Sequence, residues 1–164
     1  MRVLGIDPGL ATIGYGIVDR EGKIDKVVDY GVIKTPKEES LPVRLAMIYD
    51  GVACLITKYH PDAIAVEELF FNTNITTGIS VAEARGAILT ASVRECGRLY
   101  EYTPLQVKMS MTGYGKADKQ QIQQMVKVYL KLDKIPRPDD AADALAVALT
   151  HLNSVLLAKT SYIK

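Results

Sequence analysis

The chain has 164 residues, of which 48% are hydrophobic and 24% charged, and its formal net charge is +1. This balance predicts one compact domain with a sizeable core and argues against a disordered chain. No apolar run reaches the roughly 20 residues that a membrane helix needs, and the N-terminus lacks the features of a signal peptide, so we expect a cytoplasmic protein. A net charge near zero neither indicates nor excludes a nucleic-acid partner. Any binding to nucleic acid would have to come from local clusters of charge.

The first third of the chain predicts three antiparallel strands and a helix. Segments 2–7 and 13–19 flank a Pro-Gly turn, and 26–34 follows the polar turn REGKID, which is typical of strands joined as hairpins. A helix over 40–59 comes next, with Ser40 as its N-cap. Its apolar face is formed by Leu41, Leu45, Ile48, Val52, Leu55 and Ile56.

The remainder of the chain alternates strands with helices. The run AIAVE, residues 63–67, is almost continuously apolar, as a buried parallel strand is. The elements predicted after it are a helix over 79–96, a strand over 98–103, a helix over 118–131 and a last helix from 139 to about 157. The order βββαβαβαα predicts an α/β fold with a five-stranded mixed sheet and helices on both faces. We expect residues 1–158 to form this single domain and 159–164 a short C-terminal tail.

Two cysteines, Cys54 and Cys96, lie in apolar helical patterns without CxxC spacing. We therefore expect two free, buried thiols and neither a disulfide nor a zinc site. The two histidines, His60 and His151, do not alter this expectation.

Four carboxylates occupy unusual positions in the predicted elements. Asp7 ends the first strand and Glu67 ends the fourth, although an unpaired ion in a buried strand is costly. Ligands of such sheets bind beyond the carboxyl ends of the strands, so we expect these two side chains to be neighbours. Asp140 and Asp143 are three residues apart on one face of the last helix. The sequence thus predicts that four carboxylates converge at one edge of the sheet.

Each acid also has an ordinary structural explanation. Asp7 could be a turn residue, Glu67 a solvated strand end, and Asp139 or Asp140 a helix N-cap. Together, however, the four acids would repel one another and raise their own pKa values, and hard divalent cations such as Mg²⁺ or Mn²⁺ remove that conflict. A pair of such ions is a known device for hydrolysing phosphodiesters.

Small residues follow Asp7 at Gly9, Ala11, Gly14 and Gly16. We expect them to let a nucleic-acid backbone come close to the metal ions.

Four motifs, in order along nearly the whole chain, carry a family resemblance. The segments GIDPGLATIGYGIV, AVEELFF, QVKMSMTGYGKADKQQIQQMV and DDAADALAVAL resemble the RuvC family of Holliday-junction resolvases. The resemblance implies a ribonuclease-H-like fold and a homodimeric, Mg²⁺-dependent endonuclease with two ions per site. Such an enzyme makes paired nicks in opposite strands of a four-way junction during recombination and repair. A branch-migration motor of the RuvA and RuvB type is the further partner implied.

The same resemblance implies the site residues. The catalytic and metal-binding acids are Asp7, Glu67, Asp140 and Asp143, with Lys119 as a further catalytic residue. Glu68 makes a doublet where the motif needs one acid, and because strand alternation puts the pair on opposite faces, Glu67 is the choice.

The DNA contacts implied are Phe70, Lys108, Lys116 and Lys119. Stacking on a junction base suits an exposed Phe70, and phosphate neutralisation suits the lysines. Alternatively, Phe70 or Phe71 could pack in the core, and the lysines could simply be solvated surface residues.

Two-fold symmetric cuts predict a two-fold symmetric dimer. The candidate surface is the helix over 79–96, where Ala82 and Gly86 permit close approach and Ile79, Leu89 and Val93 add apolar area. The same face could instead pack on its own sheet.

The alternatives in function are another ribonuclease-H-like nuclease acting on a different branched DNA or an RNA:DNA structure, and a noncatalytic junction-binding module. An actin-like nucleotide-binding domain would need a second phosphate-binding motif and more chain.

Overall fold

The computed structural model describes residues 1–69 and 75–156 and has the predicted five-stranded mixed sheet at its centre. The strands are β1 (Arg2–Asp7), β2 (Thr12–Glu21), β3 (Ile24–Lys34), β4 (Ala63–Glu67) and β5 (Leu99–Tyr102). Their order across the sheet is β3-β2-β1-β4-β5. The first three strands pair antiparallel, whereas β4 is parallel to β1 and β5 is parallel to β4.

Helices cover both faces of the sheet, as predicted. They are α1 (Leu41–Tyr59), α2 (Ile75–Glu95), α3 (Pro104–Thr112), α4 (Lys119–Tyr129) and α5 (Asp139–Leu156). One core lies between the sheet and α1 with α2, and the other lies between the sheet and α5, which α3 and α4 cover. None of the helices within the described ranges is long and apolar enough to cross a membrane. The predicted boundary at residue 158 and the tail 159–164 lie outside those ranges.

The helix α3 was missed by the sequence analysis, which assigned no element to residues 104–112. Its signals are nevertheless present. Thr103 caps the helix through a reciprocal capping box with Gln106, Pro104 occupies the first turn, and Gly113 ends it in the left-handed conformation, a combination typical of a short helix. This helix carries Lys108 to the candidate site.

The cysteine prediction was right about pairing and wrong about burial. Both thiols are free, but Cys54 is exposed and Cys96 is only half-buried. Cys54 lies two residues from both Val52 and Ile56, the buried positions of α1, and a spacing of two turns a helical side chain to the opposite flank. The Cys96 thiol donates a hydrogen bond to the carbonyl of Pro61.

Glycines of the first two strands form the surface on which α5 lies. A Cβ atom on Gly14 would lie 2.0 Å from the backbone oxygen of Asp140, and one on Gly5 would lie 2.1 Å from that of Ala144. A Cβ on Gly16 would lie 2.7 Å from the side chain of Leu145. The expectation that Gly14 and Gly16 admit a nucleic-acid backbone is therefore wrong, because α5 already occupies the space above them.

Gly9 and Ala11 lie in the turn between β1 and β2, and the expectation that they admit a nucleic-acid backbone stays a prediction. A Cβ on Gly9 would lie 2.2 Å from the backbone oxygen of Thr12, so the glycine is required by the tight turn between β1 and β2. Ala11 is exposed in the same turn.

We predict that Gly14→Ala destabilises the fold and disturbs the candidate site together. The added methyl group meets backbone atoms and forces α5 away from the sheet, which for such overpacking costs about 1 to 3 kcal/mol. Differential scanning calorimetry should show a melting temperature lower by roughly 2 to 10 °C for a chain of this size. An unchanged melting temperature would contradict the close packing of α5.

Candidate active site

The backbone brings the four predicted acids to one edge of the sheet. Ile6 is the parallel partner of Val66, so Asp7 and Glu67 follow at the ends of adjacent strands. Gly5 and Ala65, which precede Asp7 and Glu67 by two positions, face α5. Because residues two apart on a strand share a face, Asp7 and Glu67 lie on that same face. Gly14 pairs with Asp7 across β1 and β2 and lies directly beneath Asp140. The first turns of α5 are thereby held over the two strand ends.

Asp7 and Glu67 are protonated more readily than ordinary carboxylates. Burial raises the pKa of Asp7 to about 8, and the charges of Glu67, Asp143 and Asp140 add to that effect. Burial also raises the pKa of Glu67 to about 7, with a contribution from Asp143, while a hydrogen bond with Asp7 opposes the change. The two side chains therefore share a strained electrostatic environment in which full ionisation is unfavourable.

Asp143 faces Lys119, the first residue of α4. The Lys119 Nζ atom lies 2.8 Å from Asp143 Oδ2 and 3.8 Å from Asp139 Oδ2. Burial nevertheless raises the pKa of Asp143, outweighing the hydrogen bond from Lys119. For Lys119, burial lowers the pKa, but the hydrogen bond with Asp143 and the neighbouring acids raise it by more. The lysine is thus a protonated counter-ion of the acidic edge.

A cavity of about 190 Å³ opens beside these groups. Its charged lining consists of Glu67, Asp143, Lys108 and Lys119, and its apolar lining of Pro104, Val107, Ile122, Ala146 and Val147. Lys108 reaches it from α3, and Lys119 is placed by the capping box that Asp118 and Gln121 form at the start of α4. The two lysines of this cleft can hold a phosphate group beside the two carboxylates.

The acids fit a divalent cation in chemistry, although they are not yet gathered around one. Carboxylate oxygens are the preferred ligands of Mg²⁺ and Mn²⁺, and a cation would stabilise the ionised forms that burial, and then repulsion between the acids, disfavours at Asp7, Glu67 and Asp143. Within residues 1–69 and 75–156, however, no three Asp, Glu, His or Cys side chains are placed to hold one ion as they stand. The four acids thus converge in their backbone positions, and Lys119 holds Asp143 in an ion pair.

The remaining predicted site residues are placed as follows. Glu68 follows the end of β4, where its backbone N–H donates to the carbonyl of Tyr102, while Glu67 turns into the cavity with Asp143. Lys116 is exposed in the loop between α3 and α4. Phe70 and Phe71 lie outside the described residues.

One buried pair beside the site escaped the sequence analysis. His151 of α5 is fully buried, and its Nδ1 atom lies 2.8 Å from the hydroxyl of Tyr102 on β5. Tyr102 is the parallel partner of Glu67, so this contact ties α5 to the strand beside Glu67. Burial lowers the pKa of His151 to about 4, and the ring is therefore neutral near pH 7. A lone histidine in an apolar helix gives no sequence signal for such a partner.

Comparison with known proteins identifies the family. The family model described as crossover junction endodeoxyribonuclease RuvC matches residues 3–151. The crossover junction endodeoxyribonuclease RuvC of Alkaliphilus metalliredigens is 56% identical over 155 residues, which cover 94% of each chain. The RuvC structure of Thermus thermophilus has a TM-score of 0.92 at 37% identity and covers 99% of this chain and 100% of that one.

A second Thermus thermophilus structure holds RuvC in complex with a Holliday junction substrate. Its TM-score is 0.94 at 35% identity, with 99% of each chain covered. These likenesses and the observed sheet confirm the predicted ribonuclease-H-like α/β fold. Since the family model and the relatives span almost the whole sequence, the chain belongs to the RuvC family of crossover junction endodeoxyribonucleases.

Proposed function

We propose that this protein resolves four-way DNA junctions by Mg²⁺-dependent hydrolysis of one phosphodiester in each of two opposite strands. Asp7, Glu67, Asp140 and Asp143 are the proposed metal ligands, for two ions in each site, and Mn²⁺ is the substitute expected to work best. The observation that carries the metal proposal is the half-buried Asp7, which ends β1 next to the end of β4 and beneath the first turn of α5, and whose pKa burial raises to about 8. Ionising such acids is unfavourable unless a cation binds them.

The residues of the chain divide the work of this reaction. When bound, the cations supply an ionised water as nucleophile and stabilise the leaving oxygen. Asp7 and Glu67 must first lose the protons that burial favours. Lys119 neutralises Asp143 in the free protein and, once displaced, is available to the scissile phosphate together with Lys108. Val107 and Ile122 line the cavity beside these charges, and an apolar neighbourhood strengthens electrostatic interactions.

A substrate panel tests this function directly. The purified protein is incubated with a synthetic four-way junction, the matched duplex and an RNA:DNA hybrid, each with Mg²⁺ or with EDTA. We expect paired nicks in opposite strands of the junction with Mg²⁺ and little cutting of the other two substrates. Cleavage in EDTA would contradict the metal proposal, and preferential cutting of the hybrid would favour a different ribonuclease-H-like nuclease.

The proposed working unit is a two-fold dimer formed through α2. One side of this helix is buried in the core, through Ala84, Ile88 and Ala91. The opposite side leaves Ile79 and Val93 more than half exposed, and a Cβ on Gly86 would meet nothing within 4 Å. One side of α2 therefore packs in the core of its own domain, and the exposed side is the one that we propose for the dimer contact. A symmetric contact through the exposed side would place one site on each of two opposite strands.

A mixed dimer distinguishes this assembly from a monomeric resolvase. One wild-type subunit paired with one Asp7→Asn subunit should nick a junction once and leave it unresolved in a single binding event. Denaturing gels report the nicks, and native gels report the resolved duplexes. Two cuts by a mixed dimer, or complete resolution by a species that sediments as a monomer, would contradict the dimer proposal.

A protein that acts on junction DNA is expected in the cytoplasm of a bacterial cell. A branch-migration motor of the RuvA and RuvB type is the further partner that we propose.

Replacing Lys119 by Ala should weaken the phosphate contact and slow cleavage. Each lost phosphate contact lowers the slope of log binding constant against log salt concentration by about one unit. Fluorescence anisotropy with a labelled junction at several salt concentrations measures this slope. Lys37→Ala, at an exposed position between β3 and α1, is the control and should leave it unchanged. A change in sequence preference would instead indicate that Lys119 contacts a base.

A further inference from the structure

We propose that the groove between α4 and the loop before it binds an unpaired nucleobase of the junction, next to the strand that is cut. The groove has a volume of about 480 Å³, and we call it the Tyr114 groove after its exposed ring. Its lining is Thr112, Tyr114, Ala117, Gln120, Gln124 and Met125, with the capping residues Asp118 and Gln121 at its end. The proposal rests on the proposed function, because the base must come from a junction bound at the acidic edge.

Tyr114 has the properties of a stacking residue. Its side chain is 55% exposed, although its backbone is held on both sides. The Tyr114 N–H donates to Thr112 Oγ1 at 3.1 Å, and the Ala117 N–H donates to the Tyr114 carbonyl at 3.1 Å. Gly113 ends α3 with a φ of 71° just before it. A ring on an ordered backbone loses little conformational freedom when a base stacks on it.

Apolar and amide groups complete a surface suited to a base. Met125 offers a polarizable flat contact, and Gln120 and Gln124 lie one turn apart on α4, both exposed. Glutamine side chains donate to and accept from base edges. Gln121 is different because it caps α4 with Asp118, which leaves Gln120 and Gln124 as the amides available to a ligand.

Charge favours a base inside the groove and phosphates outside it. Asp118 lines the groove and disfavours a phosphate there. Lys116 is exposed two residues after Tyr114, and Lys119 follows Asp118 and reaches the neighbouring cavity with Glu67 and Asp143. A strand whose phosphates follow these lysines passes the groove as it enters the cavity. Bases within a duplex are stacked on both sides, whereas a base at the point of strand exchange in a junction costs less to unstack and unpair.

Binding measurements test the groove. In the Asp7→Asn background, which keeps the junction uncut, Tyr114→Ala should weaken junction binding about 5- to 100-fold and duplex binding less. Tyr114→Phe should bind as its parent does, because it keeps the ring. Tyr129→Ala, at a 38% exposed tyrosine at the far end of α4, should also change nothing. A 2-aminopurine placed beside the cut should be quenched by the parent and not by Tyr114→Ala.

Three outcomes would overturn the groove proposal. These are unchanged junction binding and quenching with Tyr114→Ala, equal losses on junction and duplex, and a matching loss with Tyr129→Ala. Equal losses would mean that Tyr114 contacts the backbone of any DNA. The proposed function fails separately, when the wild-type protein neither binds nor cuts a junction. The side chain of Tyr114 is exposed, so the melting temperature of Tyr114→Ala should equal that of its parent.

Discussion

Asp7→Asn is expected to lower the rate of junction cleavage by at least about 100-fold while junction binding persists or becomes tighter. The amide keeps the shape of the side chain but removes the charge and one oxygen ligand at the centre of the proposed metal site. Where the pH is high enough to ionise Asp7, it also removes repulsion between the acidic edge and the phosphates of the DNA. Asp143→Asn should act in the same direction, and it also deprives Lys119 of its partner at 2.8 Å.

Cleavage under single-turnover conditions and binding by anisotropy separate the two effects. Asp50→Asn provides the control, because Asp50 is an exposed carboxylate of α1 on the other side of the sheet. It should cut and bind as the wild-type protein does. Near-normal cleavage by Asp7→Asn would remove Asp7 from the site, and a parallel loss of binding would show that the substitution disturbs the fold or the DNA surface.

The second large effect concerns stability and pH in the absence of metal. The folded protein holds Asp7 with a pKa of about 8 and Glu67 with a pKa of about 7, against ordinary values of 3.8 and 4.5. Between pH 4 and pH 8 the folded state therefore binds more protons than the unfolded state. The stabilisation from these protons is complete below about pH 4 and is lost as the pH rises through 7 and 8. The free energy of unfolding should accordingly fall over this range.

Asp7→Asn should remove much of that loss. At pH 8 we expect its metal-free form to be more stable than the wild-type protein by on the order of 2 kcal/mol, or a melting temperature higher by roughly 5 °C. Calorimetry from pH 5 to pH 8.5, with and without Mg²⁺, measures the difference. Mg²⁺ should stabilise the wild-type protein most at the alkaline end, because it binds the ionised acids. Equal melting temperatures of variant and wild type across the range would contradict the raised pKa of Asp7.

The contribution of His151 to stability has the opposite pH dependence. It cancels when the melting temperatures of variant and wild type are compared. Its pKa is lowered to about 4 by burial, so the stability that its neutral form contributes is present above pH 6.5 and is lost as the pH falls to 4. This contribution is common to Asp7→Asn and the wild-type protein. The difference between their melting temperatures therefore reports the carboxylates.

The acidic edge was predictable because it depends on rules of strand order. Two carboxylates that end neighbouring parallel strands must meet, and the spacing of Asp140 and Asp143 puts them on one face of α5. The side-chain arrangement was not predictable, since the ion pair of Asp143 with Lys119 and the contact of His151 with Tyr102 join residues 24 and 49 positions apart in sequence.

The glycines show the same limit. Gly14 and Gly16 suggested room for a ligand. A glycine in a strand indicates only that another group packs closely against the backbone, and here that group is α5. The short α3 was missed because its apolar residues lack a clear period, although Thr103, Gln106 and Gly113 mark its ends.

The role of the carboxylates of this edge in cutting the junction can be tested with the adjacent pair Glu67 and Glu68. Glu67 lines the cavity with Asp143, while Glu68 follows the strand end. The two glutamine variants differ by one position and have the same chemistry. Single-turnover cleavage of a four-way junction in Mg²⁺ should fall by at least about 100-fold for Glu67→Gln and stay near the wild-type rate for Glu68→Gln. Loss of cleavage by Glu68→Gln with normal cutting by Glu67→Gln would contradict the site as assigned.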